Sequence, residues 1–207
     1  MLTIIDYGVG NLRNVYMAFR RIGVEAHVTA DAKDLHKATA LVLPGVGAFG
    51  DSMANIERLG LEDAIVGCVR DGLPFLGICV GLQLLFQVSE EMGEHRGLGI
   101  LPGRVVRFAS DLVVPHMGWN QIHQTQECGM WAGVPDHSHA YFVHSYYVRP
   151  VDASVIAATT DYGVDFCSAV ARDNLFAIQF HPEKSQDVGE RILRNFCEAA
   201  GITERAE

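Results

Sequence analysis

In the first half of the chain, solid apolar runs of strand length alternate with stretches whose apolar positions recur at helical spacing. LTIIDY (2–7), ALVLPG (40–45) and PFLGIC (74–79) are runs of the first kind, and VEAHVTA (24–30) alternates as a half-buried strand does. Leu12, Val15, Tyr16, Phe19 and Ile22 fall on one helical face, and Gly23 stands where such a helix ends. Leu61, Ile65 and Cys68/Val69 mark a second helix ending near Gly72, and VGLQLLF (80–86) opens a third directly after Cys79. Strands joined by helices predict a parallel sheet covered on both faces.

The second half is richer in strands. RVVRF (104–108), AYFVHSYYV (140–148), SVIAAT (154–159), DFCSAVA (165–171) and LFAIQF (175–180) are separated by Gly, Pro, Asp and Asn turn residues. They predict antiparallel strands added to the parallel core. Val188, Ile192 and Phe196 then share one face of a final helix. The fold class is α/β, with a central, mostly parallel sheet carrying antiparallel additions. No internal repeat, low-complexity segment or linker interrupts the chain, so a single domain over residues 1–201 is expected, with a frayed tail at 202–207.

Composition narrows the class. The 207 residues are 49% hydrophobic and 20% charged, enough apolar side chain for a large core and against general disorder. The net charge of −9, without a Lys/Arg cluster, argues against nucleic acid as the main partner. No apolar run is long enough to span a bilayer, and the N-terminus lacks the basic start of a signal peptide. The five cysteines are odd in number, widely spread and without a C-x-x-C pair, which suggests neither a disulfide framework nor a zinc site. A protein of the reducing cytoplasm, with no metal or cofactor, is expected.

Three segments carry candidate chemistry. Gly77-Ile78-Cys79-Val80-Gly81 has the form G-x-C-x-G, in which a sharp strand-to-helix turn lifts the central side chain out of the sheet. The new helix would direct its unpaired N–H groups at the sulfur, and the Val80 N–H would face the oxyanion of an attacked carbonyl. On this motif alone Cys79 reads equally as a nucleophile or as a structural cysteine in a tight turn. In FHPEK (180–184), His181 follows a strand, and Glu183 would project to the same side of an extended chain and hold one imidazole nitrogen. Together Cys79, His181 and Glu183 fit the logic of nucleophile, base and orienter. LVLPGVGAFGD (41–51) is a glycine-rich loop whose backbone could approach a substrate, though no Lys-Ser/Thr follows to make it a phosphate loop. A cysteine hydrolase of α/β-hydrolase type and a redox-sensing flavodoxin-like module remain as alternatives. Neither explains the His-x-Glu order.

Taken together, GICVGLQ around Cys79, PGVG (44–47) and HPE (181–183) resemble the class I glutamine amidotransferases. DYGVGNLRNV (6–15), PHMGWNQI (115–122), YFVHSYYV (141–148) and HPEKS (181–185) narrow the resemblance to the branch forming the glutaminase subunits of imidazole glycerol phosphate synthases. The resemblance implies a flavodoxin-like three-layer fold. It also implies hydrolysis of glutamine to glutamate and ammonia through a thioester on Cys79, with His181 and Glu183 completing the triad. It implies an oxyanion hole from the N–H groups of Val46 and Val80, the Val46 peptide rearranging before it donates. Gly47, Gln83, Ser145 and Tyr146 match positions that contact glutamine. The implied partner is a (β/α)8-barrel cyclase subunit, in a heterodimer serving histidine biosynthesis. Asn11, Asn14, Pro115, Met117, Trp119, Tyr141 and Lys184 match positions near that interface. Without the resemblance, Asn11 and Asn14 would be a helix start. Pro115, Met117 and Trp119 would be an apolar loop, either a satellite core or a docking patch. Val80 and Leu82 stand where many relatives carry Leu and Met; Val80 would act through its backbone, and Leu82 is a tolerated hydrophobic exchange.

Overall fold

The computed structural model describes residues 1–8 and 11–203. Part of the glycine turn before the first helix, at 9–10, and the tail at 204–207 lie outside the described residues. Ile202 packs on the core, and its N–H bonds the Cys197 carbonyl at 2.8 Å.

The apolar runs become the centre of the sheet. Strands β1 (Leu2–Ile5), β3 (Ala40–Gly45) and β4 (Phe75–Cys79) are buried along their whole length, and β2 (Ala26–Thr29) is the half-exposed edge beside them. Helices α1 (Leu12–Arg21), α2 (Ala32–Leu35), α3 (Phe49–Arg58) and α4 (Glu62–Arg70) connect them. Burying both faces of these strands takes their apolar side chains out of water, at roughly 25 cal/mol per Å2.

One expectation needs correction after Cys79. The third helix is a single turn, α5 (Val80–Gln83), and the chain returns to the sheet as β5 (Phe86–Ser89). Backbone bonds recruit it: Leu98 N–H to Leu84 C=O, Gly97 N–H to Gln87 C=O and Leu101 N–H to Leu85 C=O, each at 2.9 Å. In addition α3, which local patterning did not announce, begins within the glycine-rich loop.

The remaining strands are β6 (His95–Arg96), β7 (Leu101–Arg107), β8 (His116–Gln121), β9 (His123–Gln124), β10 (His139–His144), β11 (Tyr146–Pro150), β12 (Ile156–Asp161), β13 (Asp165–Arg172) and β14 (Leu175–Ile178), and α6 (Gln186–Ala199) follows. Among the described residues one sheet of 12 strands runs β2-β1-β3-β4-β14-β13-β11-β7-β5-β6, with β12 and β9 paired off this path. β2 through β14 are mutually parallel, and β13 and β11 continue antiparallel. The expected continuous strand over 140–148 is two strands broken at Ser145: β10 leaves the main sheet to pair with β8, and β11 stays in it. The apolar loop around Trp119 is therefore a strand. Its odd apolarity is that of an outer face, because Pro115, Met117 and Trp119 point outward in alternation with His116, Gly118 and Asn120.

Candidate active site

The carboxyl ends of β3, β4 and β14 converge where parallel strands in an open α/β sheet present their ligand crevice. Cys79 ends β4 with φ 55° and ψ −110°, a left-handed backbone position that costs a non-glycine residue about 1–3 kcal/mol. The neighbouring packing holds that strain. A Cβ on Gly81 would collide with the Leu43 carbonyl, and one on Gly77 would stand 2.9 Å from the Gly81 carbonyl oxygen. The glycines flanking Cys79 thus let α5 sit directly against β3 and β4. Val80 heads that turn, immediately after the sulfur.

His181 arrives from the adjacent parallel strand β14. Its backbone is extended, and its N–H bonds the Tyr141 carbonyl at 2.9 Å. The chain does not stay extended beyond it: Pro182–Lys184 form a 3-10 turn. That turn still brings Glu183 Oε1 to 2.8 Å from His181 Nδ1, with both side chains 2% exposed. His181 Nε2 makes no hydrogen bond among the described residues and remains for the sulfur. Burial opposes charge on this imidazole, but the adjacent Cys79 sulfur and the Glu183 carboxylate outweigh it and raise its pKa to about 10. Such an arrangement favours a proton on the imidazole, the condition for a reactive sulfur beside it.

Cys79, Val80, His181, Val46, Gly47, Gln83, Ser145 and Tyr146 line one cavity of about 180 Å3. Every residue expected to touch substrate is in that set. Gly47 occupies a left-handed position at φ 95°, in the loop between β3 and α3. Gln83 is buried and donates from Nε2 to the Tyr146 carbonyl (3.1 Å) and to Gln179 Oε1 (3.1 Å). Sequence reasoning missed Glu91, which lines the same cavity and accepts the Phe49 N–H at 2.7 Å. No local motif marks Glu91; it reaches the site only because β5 folds back into the sheet. It also missed Gln179, fully buried, whose Nε2 lies 3.6 Å from the Cys79 sulfur. Its place two residues before His181 was the available signal.

The expected partner-facing residues form a separate surface. Met117 and Trp119 are exposed, Trp119 meets Tyr141 edge-on at 6.1 Å, and Lys184 Nζ lies 5.5 Å above the Tyr141 ring. Pro115 precedes them on the same outward face. Asn11 and Asn14 are exposed at the start of α1, which packs on the Pro182–Lys184 turn. Asn11 occupies the cap position without a side-chain cap hydrogen bond among the described residues. Away from the cavity lining, the exposed residues His123, Asp136 and His137 hold ligand-type atoms within 4.8 Å of one another. Among the described residues no helix is long and apolar enough to cross a membrane.

A strained cysteine at a parallel strand end and a carboxylate-held histidine from the next strand line one cavity, an arrangement that can carry nucleophilic chemistry on an acyl or amide carbonyl. The family model for glutamine amidotransferase class-I matches residues 3–200, and the chain belongs to that family. In particular, it is 56% identical to "Imidazole glycerol phosphate synthase subunit HisH" of Syntrophotalea carbinolica, over 95% of this chain and 98% of that one. It is 51% identical to the subunit of the same name from Methanothermobacter thermautotrophicus, over 96% and 98% of the two chains. Among solved structures, a glutamine amidotransferase superposes with TM-score 0.77 at 24% identity, over 97% of this chain and 99% of the other, and shares the fold. Family membership removes the α/β-hydrolase and redox-module alternatives.

Proposed function

We propose that this glutamine amidotransferase is the glutaminase subunit of an imidazole glycerol phosphate synthase, with Cys79 as its nucleophile. The observation that carries the reading is the cavity, in which the sulfur, the Glu183-held imidazole and the matched substrate positions meet. Cys79 Sγ attacks the side-chain carbonyl carbon of glutamine while His181 Nε2 holds the thiol proton. The N–H groups of Val80 and Val46 bear the oxyanion, and the Val46 peptide turns to do so. Collapse of the tetrahedral adduct breaks the C–N bond. His181 gives its proton to the leaving nitrogen, so ammonia departs and a thioester remains. Water, deprotonated by His181, then attacks the thioester. The S–C bond breaks, glutamate leaves, and the thiol regains its proton. Gly47, Gln83, Ser145 and Tyr146 hold the substrate, and the Glu91 carboxylate has the charge to pair with its α-ammonium.

Ammonia set free in neutral water is mostly protonated and no longer a nucleophile, so a partner must receive it directly. The partner is a (β/α)8-barrel cyclase, docked on the face of Met117, Trp119, Tyr141 and Lys184 and on the α1 start with Asn11 and Asn14. The cysteines are all free, consistent with work in the reducing cytoplasm. The test is a glutaminase assay with and without the cognate cyclase and its ligand, beside labelling with a glutamine-like diazoketone. Expected results are low activity alone, a large rise in the complex, and glutamine-protected labelling of Cys79 only. Equal activity without the cyclase, or unprotected labelling elsewhere, overturns the reading.

A further inference from the structure

Two buried histidines take no part in the triad. His116 on β8 and His144 on β10 face each other across the two-stranded sheet, with His116 Nδ1 3.0 Å from His144 Nε2. Their partners settle the protons. The Tyr146 carbonyl, 2.8 Å from His144 Nδ1, can only accept, so His144 carries its proton on Nδ1. His144 Nε2 is then an acceptor, and His116 must donate to it from Nδ1. His116 Nε2 in turn accepts from Asn120 Nδ2 at 3.2 Å, and Asn120 Nδ2 also donates to the Asp161 carbonyl at 2.8 Å. Asn120 Oδ1 takes the Gln121 N–H at 2.8 Å, which fixes the amide's orientation. Every donor meets an acceptor only when both imidazoles are neutral. Burial favours that state, lowering the pKa of His116 to about 4 and of His144 to about 3.

The chain continues into the active site. The Tyr146 carbonyl that accepts from His144 also accepts from Gln83 Nε2 (3.1 Å); Gln83 donates to Gln179, and Gln179 Nε2 reaches the Cys79 sulfur at 3.6 Å. Hydrogen bonds therefore run without a break from the nucleophile, past the substrate-contacting segment, to Asn120. Asn120 is the neighbour of Trp119 on the strand whose outer face is exposed. A second tie runs beside it: Ser185 Oγ accepts the Tyr141 N–H at 3.0 Å and donates to the His181 carbonyl at 2.6 Å.

We propose that Asn120, His116 and His144 are positioning residues. They form a polar strut through which the β8 outer face sets the place of the Ser145–Tyr146 segment in the glutamine cavity. This rests on the reading that the β8 face docks the cyclase. Docking that shifts β8 moves the strut as a unit, because an inserted gap would leave a buried imidazole nitrogen unpaired.

The test uses the complex with the cognate cyclase and its ligand. Asn120→Asp keeps the shape but replaces the donor facing His116 by an acceptor; His116→Phe keeps a ring stacked between Phe142 and Tyr162 but removes both nitrogens. Expected are unchanged affinity for the cyclase and a roughly 2- to 30-fold loss of cyclase-dependent stimulation, taken as the ratio of complexed to free activity of each variant and read as a raised KM for glutamine in the complex. Full stimulation with wild-type KM in both folded variants overturns the strut. A wild-type enzyme that the cyclase does not stimulate instead overturns the reading beneath it. Nitrogen NMR of the wild-type imidazoles decides independently of any variant. Both must be neutral and protonated on Nδ1 at pH 7; another tautomer, or a charged ring, overturns the proposal.

Discussion

At the residue scale, the proton on His181 links chemistry to stability. Its pKa in the folded protein is about 10 against an ordinary value of 6.5. A base that binds its proton more tightly when folded stabilises the fold fully below the unfolded pKa, and that contribution erodes as pH rises from 6.5 to about 10. Glu183→Gln removes one of the groups that raise the pKa. The Tm of the variant should decline less steeply between pH 7 and 10, and its kcat/KM should fall by roughly 10²–10⁴-fold. Thermal melts across that range and steady-state glutaminase kinetics check both; a variant with wild-type slope and rate would exclude Glu183 as the orienter. Cys79 and His181 were legible as candidates because each follows or ends a strand with a local mark, glycines about Cys79 and proline after His181; Glu183, in the turn beyond, was legible only by its spacing from His181. Glu91 carries no such mark, and only the return of β5 to the sheet brings it into the cavity.

At the scale of elements, the β4–α5 turn depends on the absence of a side chain at one position. A methyl group on Gly81 meets the backbone of β3, which cannot yield as a flexible side chain would. Gly81→Ala should cost about 1–3 kcal/mol, a Tm loss of roughly 2–12 °C, and should also abolish turnover by displacing the Val80 N–H. A melt and an assay on the same preparation test it, and an active variant of native Tm would refute the packing argument. The same turn shows where periodicity misleads. VGLQLLF is helical in pattern, yet Leu84 onward pairs with residues 97–101 because those backbone bonds lie in the core. β8 was hidden for the opposite reason: its outward positions are apolar, so the alternation that identifies a strand is inverted.

At the scale of the whole molecule, the exposed apolar face of β8 and β10 has the make-up of an interface centre. Trp119 is 48% exposed and contributes little to the core. Trp119→Ala should leave Tm unchanged and weaken cyclase binding by at least about 30-fold, the effect of losing a central aromatic anchor. Titration calorimetry with the cyclase measures it, and wild-type affinity would move the docking surface elsewhere.

The sequence by itself determined the α/β class, the buried strands β1, β3 and β4, and the choice of Cys79, His181 and Glu183 as the candidate triad. These depend on local physics: continuous apolar runs bury on both faces, and glycine or proline beside a reactive side chain constrains its backbone wherever it folds. Only the tertiary structure decided the break at Ser145, the one-turn length of α5, the approach of Glu91 and Gln179, and the pairing of His116 with His144. Each of these is a contact between residues far apart in the chain. Which one forms depends on backbone groups finding partners inside the core, and no local pattern encodes that.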